Sequence, residues 1–87
     1  MPAQAGLGLC YFDGTGVEQS DAEAVKWFRA AAEQGDERAQ YFLGACYIEG
    51  AGVKRSRREG IKWSRSAAEQ GSEDALNLLQ QLGVKFP

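Results

Sequence analysis

Residues 39–53 read AQYFLGACYIEGAGV, and residues 3–17 carry the same pattern as AQAGLGLCYFDGTGV. The match continues further along the chain, because residues 62–73 (KWSRSAAEQGSE) repeat residues 26–37 (KWFRAAAEQGDE). Both matches are offset by the same 36 residues. A sequence that matches itself at a fixed offset of this size is typical of repeat proteins. The chain therefore contains two copies of one structural unit.

A third copy of the unit is incomplete. It begins at Ala75 and keeps Leu79 in the register of Leu43, but the pattern is lost after that point. The chain has 87 residues, which is enough for one small domain. We therefore predict a single repeat domain, divided into repeat one (3–38), repeat two (39–74) and a partial capping repeat (75–87).

Each copy predicts two helices joined by glycine-containing turns. The motifs Ser20-Asp-Ala-Glu23 and Ser56-Arg-Arg-Glu59 predict a capping box, in which serine and glutamate satisfy free amides at a helix start. Gly35 and Gly71 follow apolar stripes at helical spacing, where a left-handed C-terminal cap is expected. No segment alternates with a period of two residues, so no sheet is predicted. The predicted helices are residues 3–13, 21–34, 37–49, 57–70 and 73–82.

The helices are expected to stack on one another. A helix pair of this length cannot bury its own apolar faces, whereas stacked copies build one continuous core. The helix at 37–49 is apolar over most of its circumference, which indicates neighbours on more than one side. Gly44 lies between its two apolar stripes and should let another helix approach closely. The predicted fold class is all-α, an α/α superhelix of two helix pairs with a C-terminal capping helix.

The repeated unit resembles the Sel-1-like repeat, a branch of the tetratricopeptide-like α/α solenoids. The resemblance covers nearly the whole chain. It implies a right-handed superhelix that serves as an adaptor or scaffold in protein–protein interaction, often in bacterial signalling or host-interaction proteins. It rests on the run Ala39-Gln40-x-x-Leu43-Gly44-x-x-Tyr47-x-x-Gly50-x-Gly52-Val53, followed by Lys62-Trp63 and Ala67-Ala68-Glu69-Gln70-Gly71.

The second copy departs from the family pattern in its second helix. It has Gly60 where alanine is usual and Ser64 where an aromatic residue is usual. A glycine inside a helix costs roughly 0.5–1 kcal/mol relative to alanine. We therefore expect the second helix pair to be the looser one.

The residue types argue against catalysis. The chain has no histidine, which removes the usual general base and the usual metal ligand. It also lacks a Ser-x-x-Lys motif and a phosphate-binding glycine loop. We predict that the protein is not an enzyme and takes no cofactor, metal or small-molecule substrate. A hydrolase is kept as a distant alternative, because some members of the family have been linked to β-lactam processing.

Two cysteines occupy the same position in the two copies, Cys10 and Cys46. Packed helices lie about 8–10 Å apart, and side chains at equivalent positions point in parallel directions, which does not suit a disulfide. We predict two free, buried thiols that act as small apolar side chains. Free thiols and the lack of a signal peptide in this chain favour the cytoplasm. A periplasmic or secreted location is the alternative if the chain is a fragment.

Apolar positions that differ between the copies form the first candidate binding surface. Scaffold positions should match between copies, whereas positions that recognise a ligand are free to differ. In tetratricopeptide-like stacks the first helix of each pair lines a concave groove, which accepts a peptide or helix. Packing between neighbouring repeats is the alternative explanation. The expected partner contacts are Leu9, Phe12, Tyr41 and Ile48, of which Tyr41 is favoured because its hydroxyl tolerates a wet rim.

Basic residues in segment 54–65 form the second candidate surface. Six of the ten lysines and arginines lie there, although the formal net charge of the chain is −2. Cations at a helix start oppose the helix dipole by a few tenths of a kcal/mol, roughly, which favours a functional reason for them. A merely solvated loop and helix start is the simpler explanation. For an acidic protein partner, the expected contacts are Lys54, Arg55, Arg57 and Arg58.

These observations predict a protein–protein interaction module that binds a partner peptide or helix. Nucleic-acid binding through residues 54–65 is the alternative, and the acidic total charge disfavours it. No apolar run approaches the roughly 20 residues of a membrane span. The helix at 3–13 has no preceding copy in this chain, so a weak homodimer through this end is also expected. The side chains expected to be exposed there are Leu7, Leu9, Tyr11 and Phe12.

Overall fold

The computed structural model describes residues 4–86. No strand occurs among these residues, which confirms the predicted all-α class. Every predicted helix is present, and the observed ends differ from the predicted ones by at most one residue. Ala3, the predicted first helical residue, lies outside the described residues. The five helices are α1 (Gln4–Asp13), α2 (Asp21–Glu33), α3 (Glu37–Glu49), α4 (Arg57–Glu69) and α5 (Glu73–Gln81).

Serine side chains fix the starts of α2 and α4. The hydroxyl of Ser20 accepts a hydrogen bond from the backbone N–H of Glu23 at 3.2 Å, and Ser56 makes the equivalent bond in α4. The predicted capping box is only half formed. The N–H of Ser20 donates to the carbonyl oxygen of Tyr11 at 2.8 Å, and the Glu23 side chain pairs with Lys26 instead. The serine amide therefore ties the second helix of the pair to the end of the first.

Glycines in the left-handed conformation end the helices, as the sequence predicts. Gly35 has a φ of 94° and Gly71 a φ of 99°, values that residues with a Cβ atom rarely adopt. The next helix begins almost at once, because Asp36 caps α3 and Ser72 caps α5. These tight turns place each helix beside the previous one.

Consecutive helices pack against each other along the whole chain, α1 on α2, α2 on α3, α3 on α4 and α4 on α5. One core cluster spans α1 to α3, and a second joins α4 and α5. The side chains of Phe28, Leu43 and Leu79 are fully buried in these clusters. The molecule is an α/α solenoid that measures 37 × 25 × 17 Å, with α5 as the predicted C-terminal capping helix.

Two glycines control the contact between α3 and α4. A Cβ atom on Gly44 would lie 2.6 Å from the hydroxyl oxygen of Ser64, so the predicted close approach is confirmed. Gly60 is buried, and a Cβ atom there would overlap the side chain of Ile48. Gly60, which the sequence suggests only as a weakness of α4, therefore makes room for Ile48.

Polar contacts join the first helix pair to the second. The guanidinium group of Arg29 on α2 donates a hydrogen bond to the hydroxyl of Tyr47 on α3 and lies 5.6 Å from the centre of its ring. The side-chain amide of Gln40 donates to the carbonyl oxygen of Ala32 at 3.2 Å. These bonds fix the orientation of the second pair relative to the first.

Candidate protein-interaction surfaces

The predicted contacts Leu9, Phe12 and Ile48 take part in packing between helices. Leu9 and Phe12 are half-buried against the cluster of α1 to α3, and the ring of Phe12 lies 6.4 Å from that of Phe28. Ile48 is half-buried and occupies the space above Gly60. Only part of each side chain therefore remains open to a partner, and contact with a partner stays a prediction for all three.

Tyr41, the favoured contact, lies in a cleft of about 430 Å³ between the N-terminal parts of α3 and α5. Burial, followed by the charges of Asp74 and Glu49, raises the pKa of its hydroxyl above the ordinary tyrosine value. The hydroxyl is thus protonated at neutral pH and can donate a hydrogen bond. The cleft, which we call the Tyr41 cleft, is lined by Glu37, Arg38, Tyr41, Phe42, Gly71, Ser72, Glu73 and Asp74.

The four predicted basic contacts fall into two groups. Lys54 and Arg55 are exposed in the connection between α3 and α4. Arg57 and Arg58 lie in the first turn of α4 and line an open groove of about 1090 Å³. Lys54 and Arg55 do not line this groove, so the structure separates residues that the sequence groups together.

The groove runs along the outer face of α4, and we call it the α4 groove. Its helical residues follow the three- and four-residue spacing of one helix face, which the sequence alone could have revealed. Ile61 was missed by the sequence analysis, and Lys62 and Arg65 were noted only as part of the basic segment. Phe86 lies beyond the last helix, where no periodic pattern points to it. The lining residues are Arg57, Arg58, Ile61, Lys62, Arg65, Ser66, Glu69 and Phe86.

Both cysteines are free thiols in different surroundings. Cys46 is buried as predicted, and burial raises its pKa to about 11, with smaller contributions from the charges of Asp21 and Glu49. Cys10 is only half-buried, so the predicted burial is wrong for this residue. The reason is that α3 packs between α2 and α4, whereas α1 packs mainly against α2 among the described helices. Within residues 4–86, Cys, Asp and Glu side chains do not converge into a metal-binding group.

Comparison with known protein families identifies the family of these helical repeats. The model of the Sel1 repeat matches residues 2–36 and matches again at residues 37–72. The chain belongs to the Sel1 repeat family. Sel1 repeats typically mediate protein–protein interactions. A search among curated proteins found no match.

Solved structures of other Sel1-like proteins have the same fold. A protective antigen of uropathogenic Escherichia coli with an SLR fold is 49% identical over 85% of this chain, with a TM-score of 0.83. The Sel1 repeat protein of Oxalobacter formigenes is 41% identical over 90%, with a TM-score of 0.87. Cysteine rich protein B of Helicobacter pylori is 28% identical over 87%, with a TM-score of 0.81. The chain spans only 16%, 59% and 57% of these three chains, respectively.

These three Sel1-like proteins come from bacteria. The similarity confirms the α/α solenoid predicted from the repeats. Among the residues that the structure describes, none of the helices combines the length and the apolar character needed to cross a bilayer.

Proposed function

We propose that this Sel1 repeat protein is a non-catalytic adaptor or scaffold that binds a partner polypeptide on the surface of its solenoid. The observation that carries the proposal is the Tyr41 cleft, which lies between two leading helices and combines an aromatic ring with polar side chains. Such a mixture of apolar surface and hydrogen-bonding groups is typical of peptide-binding surfaces. The family's usual role supports the same interpretation.

The proposed contact surface includes the other predicted residues of the leading helices. Leu9, Phe12 and Ile48 would contribute the part of their side chains that packing leaves open. Lys54 and Arg55, with Arg57 and Arg58, would attract an acidic partner and speed its association. Nucleic-acid binding through residues 54–65 has no support from the related proteins.

A test begins with selection of peptides from a displayed random library by the wild-type protein, followed by calorimetric titration of the selected peptides. We expect Tyr41→Ala to lower their affinity at least about tenfold, as is usual for an aromatic residue at the centre of an interface. Tyr41→Phe is the matched control that keeps the ring and removes the hydroxyl. Unchanged affinity for Tyr41→Ala would remove the cleft from the proposal, and failure to select any peptide would contradict the proposed function.

The proposed lack of β-lactam hydrolysis is tested separately with a chromogenic β-lactam. Because the chain offers no histidine and no Ser-x-x-Lys motif, we expect hydrolysis at the rate of the buffer alone. A rate proportional to protein concentration, retained after gel filtration, would show that the protein is an enzyme.

Self-association through the N-terminal end is a further part of the proposal. Leu7 is half-buried, whereas its counterpart Leu43 is fully buried in the cluster of α1 to α3. Leu9, Tyr11 and Phe12 are also half-buried, so these residues expose less apolar surface than the sequence led us to expect. We propose a weak dimer that Leu7→Glu dissociates. Sedimentation equilibrium of both proteins at high concentration checks this, and a wild-type monomer throughout would reject it.

A further inference from the structure

We propose that the α4 groove binds an acidic peptide segment that carries an apolar anchor side chain. This inference deepens the proposed interaction function and rests on it. It assigns a partner chemistry to a surface that is separate from the Tyr41 cleft, since the two sets of lining residues do not overlap.

The charge of the groove favours an acidic ligand. Four cationic side chains line it, and Glu69 is its single carboxylate. Within residues 4–86 none of the four forms an ion pair with a carboxylate. Arg57 donates to the carbonyl oxygen of Leu82 at 2.8 Å, and Lys62 lies 5.3 Å from the centre of the Trp63 ring. The groove thus presents positive charge that the described residues leave without a counter-charge, which would attract carboxylates.

The floor of the groove provides a place for an apolar anchor. Ile61 and Phe86 are half-buried and pack against the cluster of α4 and α5, with one surface of each facing the groove. The groove is open, and its volume of about 1090 Å³ slightly exceeds the roughly 300–1000 Å³ of small-molecule sites. An elongated surface with an apolar floor and charged flanks fits a peptide better than an enclosed small ligand.

A comparison of the two helix pairs explains why the arginine at this repeat position has a hydrogen-bond partner on α2 but not on α4. Arg29 of α2 is the counterpart of Arg65, and Arg29 is used in the hydrogen bond to Tyr47 of the next helix. The position that corresponds to Tyr47 in the third copy is Gly83, which offers no hydroxyl group. Among residues 4–86, no hydrogen bond from the Arg65 side chain is present, and this side chain lines the groove instead.

The start of α4 also differs in charge from the start of α2. Arg57 and Arg58 stand where α2 has Asp21 and Ala22. Positive side chains in the first turn oppose the helix dipole, whereas Asp21 complements it. Arg57 also bonds to the carbonyl oxygen of Leu82, whereas the Arg58 side chain has no hydrogen bond or ion pair among residues 4–86. Arg58, next to further cations and an apolar floor, is accounted for if it contacts an anionic ligand. The apolar floor formed by Ile61 and Phe86 favours a peptide, which supplies an apolar anchor together with its carboxylates, over the continuous phosphate backbone of a nucleic acid.

The test uses calorimetric titration with a synthetic peptide of about fifteen residues, rich in glutamate, with a central Phe-Leu pair. One control peptide has lysine in place of each glutamate, and another has Ser-Ser in place of Phe-Leu. We expect micromolar affinity for the acidic peptide and at least about tenfold weaker binding of each control peptide. The affinity should also fall as the salt concentration rises, because salt screens charges on the surface.

Substitutions on α4 and at Phe86 test whether the peptide binds in the α4 groove. Lys62→Glu and Arg65→Glu should each lower the affinity for the acidic peptide at least about tenfold, and Phe86→Ala should lower it by a similar factor. Lys26→Glu is the matched control, since Lys26 occupies the same position in the first pair and the charge change is identical. The affinity of the Lys26→Glu variant for the acidic peptide should equal that of the wild type. Thermal melts verify that every variant is folded, which is expected for the variants of Lys26, Lys62 and Arg65 because these residues are exposed. Phe86→Ala also removes packing against the cluster of α4 and α5, so its affinity is measured well below its melting temperature.

Five results would overturn the inference, and the last of them leaves the proposed function intact. The first is an equal loss with Lys26→Glu, which would show a general charge effect. The second is tight binding of the Ser-Ser peptide, and the third is tighter binding of a short duplex DNA than of the acidic peptide. The fourth is a dimer that Lys62→Glu dissociates, because the groove would then hold a second copy. If peptides selected from the library bind but are insensitive to Lys62→Glu and Arg65→Glu, the inference fails while the proposed function stands.

Discussion

Gly44 and Ser64 lie directly against each other across the interface of α3 and α4, where a Cβ atom on Gly44 would come within 2.6 Å of the serine oxygen. Gly8 has the same relation to Phe28 in the first helix pair, also at 2.6 Å. The facing residue changes from a large ring to a small hydroxyl, yet the glycine is present in both pairs. In both pairs the facing helix thus occupies the space that a side chain on the glycine would need.

The first prediction concerns the same substitution at two glycines. Gly44→Ala should destabilise the protein by about 1–3 kcal/mol, because the new methyl group overlaps Ser64 and the backbone of Gly60. Gly6 is also helical, but nothing lies within 4 Å of a Cβ atom built on it. Gly6→Ala should thus stabilise the protein by about 0.5–1 kcal/mol through helix propensity. Urea denaturation measures the free energy of unfolding of both variants. A change in the same direction for the two variants would contradict the close contact at Gly44.

The second prediction concerns the hydroxyl of Ser64. Its oxygen is buried and has no hydrogen-bond partner among the described residues. A buried polar group without a partner costs about 1–3 kcal/mol, so Ser64→Ala should raise the free energy of unfolding by about 1 kcal/mol or more. Ser66→Ala on the same helix is the control, because its hydroxyl is half-exposed and bonds to the carbonyl oxygen of Lys62. Thermal melts of both variants distinguish them, and a less stable Ser64→Ala would show that the hydroxyl has an unseen partner.

The third prediction concerns two glutamines of repeat two, which bond to each other and also to backbone carbonyls of repeat one. The side-chain amide of Gln70 donates to the side-chain oxygen of Gln40 and to the carbonyl oxygen of Gly35, both at 2.9 Å. Gln40 is buried and bonds to the carbonyl oxygen of Ala32. Gln40→Ala should cost about 1–3 kcal/mol, and Gln70→Ala, which is exposed, about 0.5–1.5 kcal/mol. A double-mutant cycle by urea denaturation measures the coupling free energy between Gln40 and Gln70, which should exceed about 0.5 kcal/mol. Additive effects of the two substitutions would show that the hydrogen bond between them does not contribute to stability.

The helices could be predicted from the sequence because their determinants are local. Ser20 and Gly35 mark the two ends of α2, and the apolar spacing between them fixes its buried face. The capping box is the instructive exception. The amide of Ser20 is taken by Tyr11, a residue on another helix, which a pattern four residues long does not contain.

Contacts between helices were less accessible from the sequence. The bond between Gln40 and Gln70 joins residues that are 30 positions apart, and no periodic pattern encodes such a pair. The residues of the α4 groove were likewise only partly predictable from the sequence. Composition alone identified Arg57 and Arg58, while Phe86 joins them only because the chain returns towards α4 after its last helix.

The fourth prediction uses the unequal burial of the two thiols. Cys10 is half-buried, whereas Cys46 is buried and burial raises its pKa to about 11. Because the thiolate is the reactive form, a thiol reagent at pH 8 should modify Cys10 at least about tenfold faster than Cys46. Mass spectrometry of tryptic peptides after timed labelling measures the two rates. Equal rates in the folded protein would contradict the burial of Cys46.

The same thiol makes stability depend on pH in a defined direction. Well below pH 9 the Cys46 thiol holds its proton in both the folded and the unfolded chain, so its contribution to stability is fully present. Between pH 9 and about pH 11 the unfolded chain loses this proton while the folded chain keeps it, and the free energy of unfolding falls with rising pH. The full effect of a two-unit shift is about 2–3 kcal/mol. Burial also raises the pKa of the Tyr41 hydroxyl, so the contribution of Cys46 is isolated by comparison with Cys46→Ala. Urea denaturation at pH 8 and at pH 10.5 should show a smaller loss of stability for the variant than for the wild type, and parallel losses would mean that Cys46 is exposed to solvent.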